Sequence, residues 1–216
     1  MPVVLKCEAI LSDLDGVLVD SHTVVERTWR RWIERHGIDA PDIVRRAHGR
    51  RSIETVRDVA PELNADEEVR WLAEAELGDF EGVVALPGAA AILGALRSGE
   101  WAVVTSGGRE LAQRRLAHAK LPLPNILIAA EDVAVGKPAP DGYLTAAERL
   151  QCSATNCVVI EDTPPGIQAG RNSGAQTLAL TTTFPADMLT EADLIVPHLD
   201  HLVLQRTGST LLISVR

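Results

Sequence analysis

The sequence predicts an α/β protein, a doubly wound parallel sheet with helices on both faces, interrupted near its start by an all-helical insert. Three observations predict it. From residue 86 onward short β-branched runs alternate with helical periods, the pattern of crossover helices laid over a parallel sheet. Between Val17 and Val83 no strand is evident and apolar residues recur at helical spacing. The apolar run Ile10-Leu11-Ser12 ends in Asp13-Leu14-Asp15-Gly16, as a buried strand does when it carries polar groups to the ligand-binding edge of a sheet. The expected division is therefore a core of residues 1–16 and 86–216 and an insert of residues 17–85.

Taken in order, Cys7 to Ser12 reads as one short buried strand delivering the two aspartates. Asp20 or Ser21 can cap the following helix, whose apolar face is Val25, Trp29, Trp32 and Ile33 and whose C-cap is Gly37. Shorter helices are expected over Asp42–Ala47 and Ser52–Val59, separated by His48-Gly49-Arg50-Arg51. Asn64 with Glu67 suits the start of a longer helix with Val69, Leu72, Ala73, Leu77 and Phe80 on one face. After Leu86-Pro87-Gly88, helices are expected at Ala89–Arg97, Arg109–Ala119, Asp141–Leu150 and Pro165–Asn172. Strands fall between them at Trp101–Thr105, Ile126–Ala129, Cys157–Ile160, Thr177–Leu180 and Leu194–Val196. Thr207-Gly208, between Leu202–Gln205 and Leu211–Val215, marks a terminal hairpin.

Composition bounds the function. The chain has 216 residues, 46% hydrophobic and 24% charged, enough for one good core with a smaller insert. A net charge of -9 argues against nucleic acid, which asks for a basic face. It leaves room for a small anionic substrate held by local cations. Cys7, Cys152 and Cys157 have no C-x-x-C spacing, so neither a disulfide framework nor a zinc site is indicated and a reducing, cytoplasmic setting fits. No apolar run reaches the roughly 18 residues a membrane helix needs.

Side chains at i and i+2 of an extended segment share a face, so Asp13 and Asp15 can reach one bound atom or each other, and Gly16 lets the chain turn sharply beside them. Such a pair can divide labour, one carboxylate as nucleophile or metal ligand and the other as general acid. Two simpler roles compete, an Asp-Gly turn and a calcium loop. The calcium loop fails because Val17 and Leu18 stand where it wants an oxygen ligand and glycine. Three further strand ends carry polar groups: Thr105-Ser106-Gly107-Gly108, Lys137 in Gly136-Lys137-Pro138, and Glu161-Asp162. Singly, these fit an N-cap, a solvated loop lysine and a helix-dipole pair. Together they suit phosphate chemistry, with acids for Mg²⁺, a hydroxyl and N–H groups for phosphoryl oxygens, and one cation.

In this order the motifs resemble the haloacid dehalogenase superfamily of phosphohydrolases: Asp13-Leu14-Asp15-Gly16-Val17, Val104-Thr105-Ser106-Gly107, Gly136-Lys137-Pro138, and Ile160-Glu161-Asp162 followed by Pro165-Gly166-Ile167. His48-Gly49-Arg50 and Gly136-Lys137-Pro138-Ala139-Pro140-Asp141-Gly142-Tyr143 most resemble bacterial sugar phosphatases and yeast glycerol-phosphate and deoxyglucose-phosphate phosphatases. The resemblance implies a Rossmann-like core under a mobile helical cap, and a Mg²⁺-dependent phosphatase of small phosphorylated sugars or polyols. It implies that Asp13 attacks phosphorus and that Asp15 protonates the leaving alcohol and then deprotonates water. Mg²⁺ would be held by the Asp13 carboxylate, the Asp15 carbonyl and Asp162, with Glu161 direct or through water. Thr105, Ser106 and its neighbouring N–H groups, Gly16 and Lys137 would face the phosphoryl oxygens, and the insert's His48 and Arg50 would read the organic part. Arg51 suits that role or a solvated loop equally. Cations are needed because one like-charge pair about 4 Å apart is worth roughly 4 kcal/mol at an effective dielectric near 20.

Two alternatives share the scaffold. A sugar phosphomutase keeps both aspartates, but the resembling hexose mutase has histidine at the position matching Val25, whereas the nearest histidine here is His22. A non-catalytic binding protein would have little use for all four polar strand ends.

Overall fold

A computed structural model describes residues 3–216. The strands are β1 (Val4–Cys7), β2 (Ala9–Ser12), β3 (Val19–Asp20), β4 (Val84–Ala85), β5 (Trp101–Val104), β6 (Leu127–Ile128), β7 (Cys157–Glu161), β8 (Gln176–Leu180), β9 (Leu194–Val196), β10 (Leu202–Thr207) and β11 (Thr210–Val215). The helices are α1 (His22–His36), α2 (Ile43–Ala47), α3 (Ser52–Val59), α4 (Ala65–Leu77), α5 (Ala89–Ala95), α6 (Arg109–His118), α7 (Asp141–Arg149) and α8 (Pro164–Asn172). Six strands form a parallel sheet in the order β6-β5-β2-β7-β8-β9.

Alternation along these strands builds the two faces. Ile10, Val103, Val158 and Ile160 join Ile92, Leu93 and Leu116 of α5 and α6 on one side. Leu11, Ala102, Val104 and Val159 meet Tyr143 and Ala146 of α7 on the other, the period-2 rule of an extended chain buried on both faces. Ser12 lies level with Val103 of β5 and Ile160 of β7. Asp13 therefore follows level with Val104 and Glu161, and Thr105 and Asp162 leave the neighbouring strands one residue further on.

The insert has its own apolar cluster of Trp29, Trp32, Ile43, Val56 and Leu72. Trp29 and Trp32 meet edge to face at 5.3 Å, a geometry worth about 1 kcal/mol beyond area burial. Gly37 closes α1 in the left-handed conformation at φ 63°, as its sequence position implied. Ser21 stands at the start of α1 without capping it through its side chain, and Asp20 accepts the His22 N–H instead at 3.1 Å. Asn64 caps α4 by accepting from the Asp66 N–H.

Four expectations need correction. Cys7 to Ser12 is two strands, because β1 leaves the parallel sheet to pair antiparallel with β11, and Glu8, between them, donates its N–H to the Asn156 carbonyl. The stretch from Val17 to Val83 does contain a strand: β3 pairs with β4 in a two-residue ribbon at the base of the insert, too short to show periodicity. Phe80 lies beyond the end of α4 and stacks near His118 at 5.4 Å. Arg51 is no solvated loop residue, since its guanidinium donates to the Val133 and Ala134 carbonyls of the core, each at 3.1 Å. Among the described residues no helix is long and apolar enough to cross a membrane.

Candidate active site

Asp13 is delivered by β2 into a buried position where Lys137 donates to its Oδ1 at 2.7 Å. The Lys137 ammonium also reaches Glu161 Oε1 at 2.6 Å and the Val104 carbonyl at 3.3 Å, so its three donors are all engaged. Burial opposes its charge, and the carboxylates of Asp13 and Glu161 outweigh that and hold its pKa above the usual lysine range. Burial pushes Asp13 up to about 7 against the pull of Lys137, with Glu161 adding to the rise.

Glu161 is saturated. Tyr143 donates to Oε1 at 2.6 Å, and the Asp162 N–H and the Thr163 hydroxyl donate to Oε2, each at 3.1 Å. Burial and the Glu161 charge raise the Tyr143 phenol well above its ordinary pKa, which keeps it a donor.

Oxygens of Asp13, Glu161 and Asp162 lie within 4.8 Å of one another, all buried, against the single charge of Lys137. Asp162 Oδ1 is buried with no hydrogen-bond partner. Burial first, then Glu161 and Asp13, push the Asp162 pKa well up. An orphaned carboxylate oxygen in an oxygen-only cluster short of positive charge fits a hard divalent cation. Gly16 is required here: its φ is +83° and a Cβ would fall 1.9 Å from Asp162 Oδ2. Its carbonyl accepts from the Thr182 hydroxyl.

Asp15 stands apart from that cluster. Ser21 and Arg115 donate to the same oxygen, Oδ1, at 2.7 and 2.9 Å, leaving Oδ2 with no donor among the described residues. Arg115 is itself buried and bonds Glu76 of the insert at 3.0 Å. Burial lowers and the two acids raise the Arg115 pKa, with a net upward result, whereas burial raises Glu76 against the pull of Arg115.

The remaining expected site residues gather around the same cleft, which Asp13, Asp15, His48, Arg50, Thr105 and Arg115 help to line and which holds about 70 Å³ of free volume. The Thr105 hydroxyl accepts from the Gly107 N–H at 3.0 Å. Ser106 instead turns its hydroxyl to the insert, donating to the Gly49 carbonyl at 3.0 Å. His48 stacks on His22 with ring centroids 4.9 Å apart, and burial, helped by the His22 charge, pushes it down to about 4. Arg50 sits 3.5 Å from Asp58.

Sequence reasoning missed Arg115, Glu76, Ser21, Tyr143 and Thr163. Nothing local separates Arg115 from its neighbour Arg114, which pairs with Glu110 on the exposed surface. A signal for Glu76 did exist: Glu68, Leu72 and Glu76 recur every four residues and are the buried side of α4. Glu68 there accepts from Trp32 and faces His36.

The profile of the haloacid dehalogenase-like hydrolases matches residues 7–174. Hexitol phosphatase A of Escherichia coli (strain K12) is 37% identical over 207 residues, 94% of this chain and 96% of that protein. Glycerol-1-phosphate phosphohydrolase 2 of Saccharomyces cerevisiae is 34% identical, covering 90% of this chain and 84% of the relative. Among solved structures, a hydrolase from Pseudomonas syringae superposes with a TM-score of 0.80 at 26% identity, over 89% of this chain and 94% of that one. A β-phosphoglucomutase from Clostridium difficile shares the fold with a TM-score of 0.75 at 22% identity, over 90% and 92% of the two chains. With the paired aspartates and the acidic cluster at adjoining strand ends, Lys137 brought to them by the loop after β6 rather than by a strand end, and the profile spanning most of its length, the chain belongs to the haloacid dehalogenase-like hydrolase family.

Proposed function

We propose that this protein is a Mg²⁺-dependent phosphatase that hydrolyses small phosphorylated sugars and polyols through an aspartyl-phosphate on Asp13. One observation carries the reading: two carboxylates two residues apart have different partners, Asp13 a lysine within the buried acidic cluster and Asp15 Ser21 and Arg115 through a single oxygen that leaves Oδ2 open. One is placed among the phosphate and metal groups and the other has an oxygen free for proton transfer, the division of roles a nucleophile and a general acid need. The hexitol phosphatase and the glycerol-1-phosphate phosphohydrolase among its relatives support this substrate class.

Asp13 Oδ attacks phosphorus as the bond to the leaving oxygen breaks, and Asp15 gives its proton to that oxygen from the free Oδ2. Water then attacks the phosphorus of the aspartyl-phosphate and gives a proton to Asp15 as the bond to Asp13 breaks, which releases inorganic phosphate and leaves Asp13 a carboxylate and Asp15 protonated as before. Lys137 supplies positive charge beside the phosphoryl oxygens, and the Thr105 hydroxyl, whose own proton is still free to donate, with the N–H groups after Ser106, which exchange their present partner for phosphate, holds them in line. Asp13, the Asp15 carbonyl and Asp162 would hold Mg²⁺, which when bound supplies positive charge to the phosphoryl group. Glu161 acts by fixing Lys137, since its own oxygens are already engaged.

Residues 17–85 serve as a cap. Support comes from the bonds that cross to the core: Ser106 to the Gly49 carbonyl, Arg51 to Val133 and Ala134, and the Gly136 N–H to Glu54. Hydrolysis is favoured over a mutase because the cleft carries Val25 at the position where the resembling hexose mutase has a histidine. The three free thiols suit a cytoplasmic setting. The test is phosphate release: with Mg²⁺, sorbitol 6-phosphate or glycerol 1-phosphate should yield inorganic phosphate, and chelator should stop it. Glucose 1-phosphate converted to an isomeric sugar phosphate with no free phosphate would overturn the phosphatase reading in favour of a mutase.

A further inference from the structure

Beyond Asp15, the next polar groups along the cleft are Arg115 and Glu76. Together they form a buried chain, Asp15 to Arg115 at 2.9 Å and Arg115 to Glu76 at 3.0 Å, running from the core's acid to the insert. Arg115 meets Glu76 through Oε2 only, and no donor among the described residues reaches Oε1. The Arg115 Nε is buried without a partner. Glu76 lines both the catalytic cleft and an adjoining cavity of about 310 Å³ walled by Ile53, Leu72 and Leu111. The cleft from which a leaving group reaches Asp15 is thus lined by this pair as well.

We propose that Glu76 is a specificity-determining residue: anchored by Arg115, its carboxylate accepts hydroxyls of uncharged polyhydroxy leaving groups and repels leaving groups that carry a carboxylate. The inference rests on the phosphatase reading and deepens it. While Asp15 holds its proton, Arg115 and Glu76 balance in charge, but the guanidinium engages Oε2 alone, so a carboxylate laid against the open Oε1 meets a buried and weakly screened negative oxygen. Arg115 cannot turn to neutralise an incoming anion without abandoning Asp15. Arg50, the other arginine on the cleft wall, already faces Asp58 at 3.5 Å. A built-in repulsion of this kind discriminates by excluding the wrong partner as much as by holding the right one.

The experiment compares kcat/KM for sorbitol 6-phosphate and 6-phosphogluconate in the wild type, Glu76→Gln and Glu76→Asp. The wild type should favour the hexitol ester, and Glu76→Gln should shrink that preference by about 10-fold, mostly through a lower KM for 6-phosphogluconate. Glu76→Asp, which keeps the charge, should retain most of it. A preference unchanged in Glu76→Gln would overturn the assignment. The wild type alone gives a second reading that needs no variant to fold: free sorbitol should inhibit competitively at lower concentration than gluconate. Gluconate inhibiting equally well or better would overturn it too. A wild type active on both esters with no preference breaks this inference alone, whereas no phosphate release from either ester breaks the phosphatase reading beneath it.

Discussion

On the core side of the cleft nearly every polar atom has its partner, whereas on the insert side the polar atoms are left open. Glu161 alone accepts from Lys137, Tyr143, the Asp162 N–H and Thr163. Across from it, His48 Nε2 is buried with no partner and Arg50 stays about a third exposed, 3.5 Å from Asp58. A fixed network suits a group common to every substrate, the phosphoryl group, because preorganised dipoles need no rearrangement when charge develops. Open donors and acceptors suit the group that differs between substrates. The core's exceptions among the described residues are Asp162 Oδ1, unpartnered at the place where a cation is expected, with Arg115 Nε and Asp15 Oδ2 at the boundary with the insert.

The largest effect should come from Asp13→Asn. An amide of the same shape is no nucleophile, so turnover should fall by at least about 10³-fold. The fold should survive, because the substitution removes one acid from a crowded buried cluster. Steady-state phosphate release beside a thermal melt checks both halves. Retention of more than a small fraction of kcat would mean that the core side is not where the covalent chemistry happens.

Asp162→Asn should act on the metal. The concentration of Mg²⁺ giving half-maximal activity should rise by about 10-fold or more, while the metal-free protein should melt higher, since burial and the charges of Glu161 and Asp13 all oppose an ionised Asp162. Opposite movement of metal requirement and apo stability is the signature. If both fell together, Asp162 would be holding the fold rather than a cation.

The same contrast explains what could be read in the sequence. Three of the core motifs were legible because their polar residues directly follow apolar strands, and parallel pairing of β2 with β5 and β7 brings those strand ends to within a residue of one level, whereas Lys137 comes from the loop after β6. Asp13, Thr105 and Asp162 needed only that rule to be brought together. The helices of the insert were equally legible, Ser52–Val59 to the residue, because Trp29, Trp32 and Leu72 mark their buried sides. What was not legible depends on how the two parts meet. Arg115 is selected over Arg114 only by facing Asp15 and Glu76, and Arg51 is fixed by backbone carbonyls of a distant loop. Neither contact leaves a trace in local periodicity.

A smaller effect is expected from Arg50→Ala. If the insert side reads the organic part, the loss in kcat/KM should be about 10-fold on a polyol phosphate and markedly less on an aryl phosphate lacking hydroxyls. Equal losses would make Arg50 a phosphate or closure residue, and would erase the distinction between the two sides.

The smallest effect lies in the pH dependence of stability, through His48. Burial is the main reason its pKa falls from 6.5 to about 4, with the His22 charge adding to it and Asp15 and Glu26 opposing. Its ring stacks on His22 and meets Phe184 edge-on. The folded state therefore binds a proton less readily than the unfolded chain. Between those two values the unfolded state carries more protons, so stability rises with pH. This contribution is fully present above the unfolded value and is lost as pH falls toward about 4. Discounting for partial exposure, the wild type should lose about 1 kcal/mol more than His48→Gln on going from about pH 7 to about pH 5. Urea melts of the two proteins at both values isolate His48, because the other titrating groups are common to both. Parallel losses would show that the His48 ring is already solvated, and with it that the insert wall is wetter than its unpartnered Nε2 implies.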